Sequence, residues 1–244
     1  MPDTRAIVTG HSRGLGEAIA RRLLTRQARV LGVSRGGNAR LASEHGGALT
    51  EAPVDLADDR ALLRWLDGGA LERFLSGASQ ALLVNNAGLL QPIGPLEVQD
   101  PAAVARAIAV NVGAVLTLSA AFVAATPDAE DRRILHISSG AGHRAYAGWS
   151  VYCASKAALD HHARAVALDR TPRLRIASVA PGVIDTDMQA EIRATSEDRF
   201  PSRQRFEDLQ REGRLLSPDA AASAVVDVLM GSRFGDEPVA DVRR

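Results

Sequence analysis

Short runs of apolar and β-branched residues alternate along the chain with longer stretches in which apolar side chains recur every three or four positions. A short apolar run is typical of a buried strand, and a period near 3.6 residues is typical of a helix with one buried face. The predicted strands cover residues 4–9, 29–34, 48–54, 81–85, 133–138, 174–180 and 239–242. The predicted helices cover residues 14–27, 58–75, 101–126, 150–169 and 217–230.

This alternation of strands and helices predicts an α/β fold. Crossover helices between neighbouring strands favour a parallel sheet with right-handed connections. We therefore expect one Rossmann-type domain over residues 1–244, a doubly wound parallel sheet of about seven strands with helices on both faces. The exception to the pattern is the charged, irregular segment 183–216, which Pro201 and Gly213 interrupt. Because such long loops are usually functional, we interpret it as a substrate loop or lid.

Composition and charge argue against some classes of function. The chain has 29 basic and 29 acidic residues, so its formal net charge is zero and gives no electrostatic reason to expect nucleic acid. Its single cysteine, Cys153, cannot form an internal disulfide. The first ten residues lack the apolar run of a secretory signal. We therefore expect a cytoplasmic protein.

One uncharged stretch, residues 107–127, has about the length of a membrane-spanning helix. It is rich in alanine and includes Asn111, whose polar side chain is costly in hydrocarbon. We interpret it as a helix buried between the sheet and a neighbouring surface, and we predict no membrane partner.

The first strand runs directly into Thr9-Gly-His-Ser-Arg-Gly-Leu-Gly16, where a helix begins. Glycines let the backbone approach a phosphate closely, and a helix N-terminus favours negative charge. The predicted dinucleotide contacts here are Gly10, Ser12, Arg13, Gly14, Leu15 and Gly16. After the second strand, where NAD-binding folds place an acidic residue, the chain has Ser34-Arg35. A guanidinium suits the extra phosphate of NADP, with Arg13 as a second candidate, so we expect NADP(H) with NAD(H) still possible.

Tyr152 and Lys156 stand four residues apart on a predicted helix and therefore share a face. Lys156 is the only lysine in the chain, which has 28 arginines. Ser139 follows the fifth strand at the edge where open α/β sheets bind ligands. These three side chains predict a catalytic group that moves a proton, with no metal expected.

The ordered motifs resemble those of the short-chain dehydrogenases/reductases along nearly the whole chain. They comprise the glycine loop, Asp55-Leu56, Asn85-Asn-Ala-Gly88, Asn111, Ser139, Tyr152-Cys-Ala-Ser-Lys156 and Pro181-Gly-Val-Ile-Asp-Thr186. The resemblance implies that Asp55 and Leu56 hold the adenine. It implies that Asn86, Ala87 and Gly88 line the adenosine side. At the nicotinamide end it implies contacts from Pro181, Gly182, Val183, Thr186, Tyr152 and Lys156.

The predicted reaction transfers a hydride between the nicotinamide and a carbonyl or secondary alcohol, with Tyr152 as the general acid or base. We expect Lys156 to lower the pKa of Tyr152, Ser139 to donate to the carbonyl oxygen, and Asn111 to hold a water on the proton path. Tyr146, Trp149 and Met188 are candidates for a substrate pocket, although the two aromatic residues would equally fit ordinary packing.

The tail, Phe206–Ala222 followed by EPVADVRR, resembles the branch of the family that contains sepiapterin reductase and benzil reductases. This resemblance implies a diketone or pterin-like carbonyl compound as the substrate. A 3-oxoacyl thioester reductase and a non-catalytic NADP-binding sensor or scaffold protein are the alternatives. The family resemblance also implies a homodimer or homotetramer.

Overall fold

The computed structural model describes residues 3–243 and contains one parallel sheet of seven strands. The strands lie in the order β3-β2-β1-β4-β5-β6-β7, so the order reverses between β1 and β4. They span Thr4–Thr9 (β1), Arg29–Ser34 (β2), Leu49–Pro53 (β3), Gln80–Asn85 (β4), Asp131–Ile137 (β5), Leu174–Ala180 (β6) and Val239–Asp241 (β7). The predicted fold class and strand number are confirmed.

Helices cover both faces of the sheet because successive strand residues point to opposite sides. In β1, Ala6 and Val8 join the apolar core beneath the first and last helices, while Ile7 joins the core on the other face. The helices span Gly14–Thr25 (α1), Ala39–His45 (α2), Asp59–Asp67 (α3), Ala70–Leu75 (α4), Pro101–Ile108 (α5), Ala114–Ala124 (α6), Ser150–Leu168 (α7), Asp187–Ala194 (α8), Arg203–Arg211 (α9) and Pro218–Met230 (α10).

Two predicted helices are interrupted. The stretch predicted as one helix over 58–75 is divided into α3 and α4 at Gly68 and Gly69, and Gly69 has a left-handed φ of 68°. The stretch predicted over 101–126 is helical without a break from residue 101 to residue 124. It contains a π-helical turn, Ala109–Gly113, which includes Asn111. Periodicity alone does not separate a π turn from an α-helix, and such turns occur frequently at functional sites.

Three short helices escaped the sequence analysis. Helix α2 has seven residues, of which only Leu41 is buried. Asn38 is its N-cap, and the Asn38 side chain accepts from the Leu41 N–H. Helices α8 and α9 lie in the segment predicted to be irregular, which is a correction to that prediction. Their apolar anchors are few, chiefly Ile192 in α8 and Phe206 in α9, so no periodic apolar pattern marked them.

The stretch Pro101–Ala124 is long and apolar enough to cross a membrane, yet 44% of its most apolar window is buried inside the protein. Leu118 and Phe122 belong to the core between this helix and the sheet. These residues pack one side of the stretch against the sheet. The predicted start of α10 is also confirmed, since the Ser217 hydroxyl accepts from the Ala220 N–H ahead of Pro218.

Candidate active site

A cavity of about 830 Å³ opens where the strands end at their carboxyl edge. Its volume lies within the usual range of ligand sites, and the reversal of strand order places it where open α/β sheets bind ligands. Every residue predicted for the cofactor or substrate lines it, as do all the predicted catalytic residues except Asn111. The cavity reaches from Arg35 and Asp55 at one end to Trp149 and Phe206 at the other.

The glycine loop is packed against the segment that follows β4. The Thr9 hydroxyl accepts from the backbone N–H groups of Asn86 and Ala87, and the Asn86 side chain donates to the Thr9 carbonyl. A Cβ at Gly16 would collide with the Gly10 carbonyl oxygen and the Asn86 side chain. Only glycine fits at position 16, so the start of α1 packs tightly against the end of β1. The glycine loop and this helix N-terminus line the cavity and form a cradle that suits a pyrophosphate.

At the adenosine end, His11 is buried and its Nε2 lies 2.7 Å from Glu51 Oε1. Burial raises the pKa of Glu51, but hydrogen bonds from His11 and the Asn38 N–H outweigh it and leave the pKa lowered. The Ser34 hydroxyl contacts His11 and donates to the Gly36 carbonyl. Because Ser34 already donates inside the protein, Arg35 is the residue of the predicted pair that stays available to a phosphate.

Two ion pairs border the cofactor half of the cavity. Asp55 accepts from Arg106 at 3.2 Å, and its pKa is lowered mainly by the backbone N–H of Ala57. Arg13, the second candidate for the NADP phosphate, is paired with Asp187 of α8 at 3.0 Å. This pair connects the glycine loop to the segment predicted as a lid.

The three predicted catalytic side chains come together at the end of β5 and the start of α7. Ser139 hydrogen-bonds to Tyr152. Lys156 Nζ donates to the Ile137 carbonyl at 2.7 Å and lies 5.6 Å from the centre of the Tyr152 ring. Tyr152 and Lys156 are 8% and 4% exposed, so proton movement here is shielded from bulk water.

The pKa values correct one expectation. Burial raises the pKa of Tyr152 to about 12, and the hydrogen bond from Ser139 only partly opposes it. Burial likewise lowers the pKa of Lys156 to about 8, although the charge of Asp160 raises it. Lys156 was expected to lower the pKa of Tyr152. In this structure desolvation is the stronger effect, since it disfavours the charged form of both groups.

Asn111 is held by two side-chain hydrogen bonds, and its role on the proton path stays a prediction. It is 1% exposed, its amide donates to the Leu89 carbonyl at 2.8 Å, and its oxygen accepts from the Leu89 N–H at 2.7 Å. Both polar atoms of its side chain are thus hydrogen-bonded to the backbone of Leu89, in the segment that follows β4 beside the cavity. The π turn brings Asn111 to this position, where it orients the backbone next to Gly88.

Asp160, which sequence analysis overlooked, lies directly behind the catalytic group. Its Oδ1 accepts from the hydroxyls of Ser138 and Ser178 at 2.7 and 2.6 Å. Its Oδ2 lies 3.5 Å from Nε2 of His143. Asp160 is four residues beyond Lys156 on α7, and that spacing was a signal that could have identified it.

Aromatic residues form the other half of the cavity. Trp149 stacks on Phe200 with 4.4 Å between ring centroids and meets the Tyr152 ring edge-on at 5.5 Å. Tyr146 lies 5.2 Å from Trp149, and Phe206 completes the cluster. Tyr146, Trp149 and Met188 do line the cavity. Phe200 and Phe206 gave no sequence signal because they lie in the segment predicted to be irregular.

Within residues 3–243, no three His, Cys, Asp or Glu side chains form a group that could hold a metal ion. The cavity instead offers a glycine cradle, a shielded phenol and amine, and an apolar aromatic wall. This combination suits a phosphate-bearing dinucleotide at one end and a small, partly apolar molecule at the other.

The chain matches a family model described as short chain dehydrogenase over residues 4–197. It is 35% identical over 239 residues to a benzil reductase ((S)-benzoin forming) of Bacillus cereus, covering 93% of this chain and 94% of that protein. It is 34% identical over 242 residues to the sepiapterin reductase of Meriones unguiculatus, covering 93% and 92%.

Solved structures agree with these matches. A short-chain dehydrogenase/reductase from Burkholderia vietnamiensis superposes with a TM-score of 0.74 and 51% identity, covering 100% of this chain and 98% of that one. A metagenomic short-chain oxidoreductase in complex with NADP superposes with a TM-score of 0.72 and 29% identity, covering 95% and 93%.

Proposed function

The chain belongs to the short-chain dehydrogenase family, and from this premise we propose that it is an NADPH-dependent reductase of carbonyl compounds. Family membership makes it an oxidoreductase that acts on carbonyl and CH–OH groups. The predicted resemblance is confirmed, and so is its narrower branch, because the relatives include a benzil reductase and a sepiapterin reductase.

The observation that carries the proposal is the group formed by Ser139 and the buried Tyr152 and Lys156, beside a cavity that has a glycine cradle at its other end. The cradle around Gly16 would hold the pyrophosphate, and Asp55 would contact the adenosine. When bound, the cofactor supplies a hydride to the carbonyl carbon. The residues of the chain supply the proton and hold the substrate in place.

Tyr152 donates its proton to the oxygen of the carbonyl as negative charge develops there. The phenol is protonated at neutral pH, but burial raises its pKa and makes it a weaker acid, so the proton transfer depends on groups that stabilise the phenolate. Ser139 is placed to donate a hydrogen bond to the same oxygen. Lys156, while protonated, stabilises the phenolate left by the transfer, since a cation nearby favours the charged form.

Arg35 supports a preference for NADPH. It lines the cavity next to Ser34, and within the described residues it forms no ion pair. A guanidinium matches the geometry of a phosphate. Replacing Arg35 by Asp should raise the KM for NADPH far more than the KM for NADH, because one charged contact contributes ~1.5–3 kcal/mol. Equal use of both cofactors by the unmodified protein would contradict this preference.

The proposal is tested by NADPH consumption on a panel of aromatic diketones, pterin ketones, acetoacetyl thioesters and ketosteroids. We expect turnover on at least the diketones, and Tyr152→Phe should reduce kcat at least a hundredfold, as the loss of a general acid does. NADPH binding should change only a few-fold, because the lost hydroxyl lies far from the glycine cradle. NADPH binding without reduction of any panel member would favour the sensor alternative.

A further inference from the structure

Arginine dominates the charge of the cavity wall. Two acidic residues, Asp55 and Asp187, line the cavity. The arginines that line it are Arg13, Arg35, Arg106, Arg205 and Arg243. The wall therefore has more cationic than anionic groups, although the whole chain carries equal numbers of both.

Carboxylates neutralise three of these arginines. The pairs are Arg13 with Asp187, Arg106 with Asp55, and Arg243 with Asp241. Across residues 3–243, Arg35 and Arg205 are in no ion pair. Arg35 stands at the adenosine end, where the proposed cofactor brings its own phosphate. Arg205 stands at the opposite end and has no such anion to meet.

Arg205 is fixed against aromatic rings by contacts of its guanidinium. Its Nη1 donates to the Tyr146 hydroxyl at 3.0 Å. Its Cζ lies 5.8 Å from the centre of the Tyr146 ring and 6.0 Å from that of Phe206. These contacts use one N–H group and the flat face, so the other donors of the guanidinium are left for a ligand.

The aromatic rings join Arg205 to the catalytic tyrosine. Trp149 lies between Tyr152, at 5.5 Å, and Tyr146, at 5.2 Å, and Tyr146 contacts Arg205. A substrate with its carbonyl bound at Tyr152 would therefore extend along Trp149. The far end of the substrate then reaches Arg205.

We propose that this cavity selects carbonyl compounds that have an apolar, flat body and a carboxylate at the end remote from the reacting carbonyl, with Arg205 binding that carboxylate. This inference rests on the proposed reductase function. Arginine and carboxylate form two parallel hydrogen bonds, and although Arg205 is exposed, its contacts with Tyr146 and Phe206 hold the guanidinium in place for them. Neither the family assignment nor the relatives named above imply an anionic substrate.

The test compares benzil carrying a para-carboxylate with its methyl ester. Steady-state NADPH consumption is measured for the unmodified protein, Arg205→Gln and Arg211→Gln. Arg211 is the matched control, because it lies on the same helix, is 70% exposed, and pairs with Asp208 instead of lining the cavity. We expect kcat/KM to favour the carboxylate by roughly tenfold or more in the unmodified protein, mainly through KM.

In Arg205→Gln the preference should fall to near unity, and in Arg211→Gln it should persist. Arg205→Lys should retain part of it, since the charge remains but the planar fork is lost. Equal kcat/KM for both compounds in the unmodified protein overturns the inference, as does a preference that survives Arg205→Gln.

A binding experiment separates this inference from the proposed function. Quenching of tryptophan fluorescence in a Trp65→Phe background, where Trp149 is the remaining tryptophan, reports ligand binding without any turnover. If neither compound is reduced, the proposed function fails. Tighter binding of the carboxylate than of the ester, lost in Arg205→Gln, then still supports the inference, whereas equal binding overturns it.

Discussion

Burial acts on Tyr152 and Lys156 in the same chemical sense, since it favours the uncharged form of each. The pKa of Tyr152 rises to about 12 and that of Lys156 falls to about 8. A phenol with a raised pKa is a weaker acid, so a nearby cation such as protonated Lys156 is needed to stabilise the phenolate as the proton leaves. The four-residue spacing of Tyr152 and Lys156 identified this pair from the sequence. The direction of their pKa shifts depends on tertiary packing, which the local sequence pattern does not show.

Lys156→Arg should lose most of its turnover although the charge is kept. Lys156 is 4% exposed and places one nitrogen 2.7 Å from the Ile137 carbonyl. The larger guanidinium cannot occupy this space without moving Tyr152, and a displacement of about 1 Å can cost roughly a hundredfold in rate. Turnover measured beside a thermal melt checks this, and near-normal kcat in a folded variant would refute the role of Lys156.

Asp160→Asn should shift the alkaline limb of the kcat profile to lower pH. The carboxylate raises the pKa of Lys156, so its removal lowers that pKa below about 8. Lys156 then loses its proton, and activity falls, at a lower pH. His136, on the adjacent strand, has its pKa lowered by burial to about 3 and stays uncharged throughout this range.

Asp169→Asn is the matched control for Asp160→Asn, since Asp169 is exposed where the same helix ends. Its profile should match that of the unmodified protein. An unshifted limb in Asp160→Asn would show that Asp160 does not set the charge of Lys156.

At the scale of elements, sequence patterns located every strand and the ends of several helices, and most of these elements bury several apolar residues. The sequence patterns missed helices that bury only one or two apolar residues. Helix α2 buries only Leu41, and α9 buries only Phe206, so neither shows a period. Phe200 and Phe206 of the aromatic cluster were missed for the same reason, although Tyr146 and Trp149 had been named as pocket candidates. The glycine loop and Tyr152 were found because their chemistry fixes their spacing.

The segment that includes α8 and α9 should exchange its amide hydrogens faster than the sheet and become protected when the cavity fills. It is anchored by few buried residues, chiefly Ile192, Phe200 and Phe206, so its local stability is low. Hydrogen exchange over residues 188–214 should slow when NADPH and a diketone are both present, and β4 should be unchanged. Protection confined to residues 10–16 would show that the segment does not close over substrate.

At the scale of the whole molecule, the edge of the sheet opposite the cavity is tied together by Asp131. Its carboxylate accepts from Gln80 at the start of β4, from Arg133 and from Arg175 of β6. Arg133 also donates to the carbonyls of Leu229 and Gly231 where α10 ends. One acidic group thus joins three strands and, through Arg133, a helix.

Asp131→Asn should lower the free energy of unfolding at pH 7 by about 1 kcal/mol. The pKa of Asp131 is lowered from 3.8 to about 2: burial raises it, but hydrogen bonds from Arg133, Gln80 and Arg175 prevail. With about a quarter of the side chain exposed, screening reduces the ~2.4 kcal/mol that the full shift represents. A depressed pKa stabilises the fold above about pH 4, and this contribution disappears as pH falls towards 2.

Urea unfolding at several pH values checks this prediction. The difference between the unmodified protein and Asp131→Asn should shrink as pH falls from 4 towards 2. The exposed Asp128 supplies a control substitution, Asp128→Asn, that should have little effect. A difference that is independent of pH would mean that the carboxylate charge is not what stabilises the sheet edge.

Lys156 is the only lysine of the chain, so its amine is the only side-chain amine available for acylation. With a pKa of about 8 instead of 10.5, this amine is uncharged roughly three hundred times more often at neutral pH than an ordinary lysine. Among lysine side chains, a small acylating reagent would therefore find only the reaction centre, and occupants of the cavity would shield it. Tethering chemistry that relies on surface lysines would find none within residues 3–243.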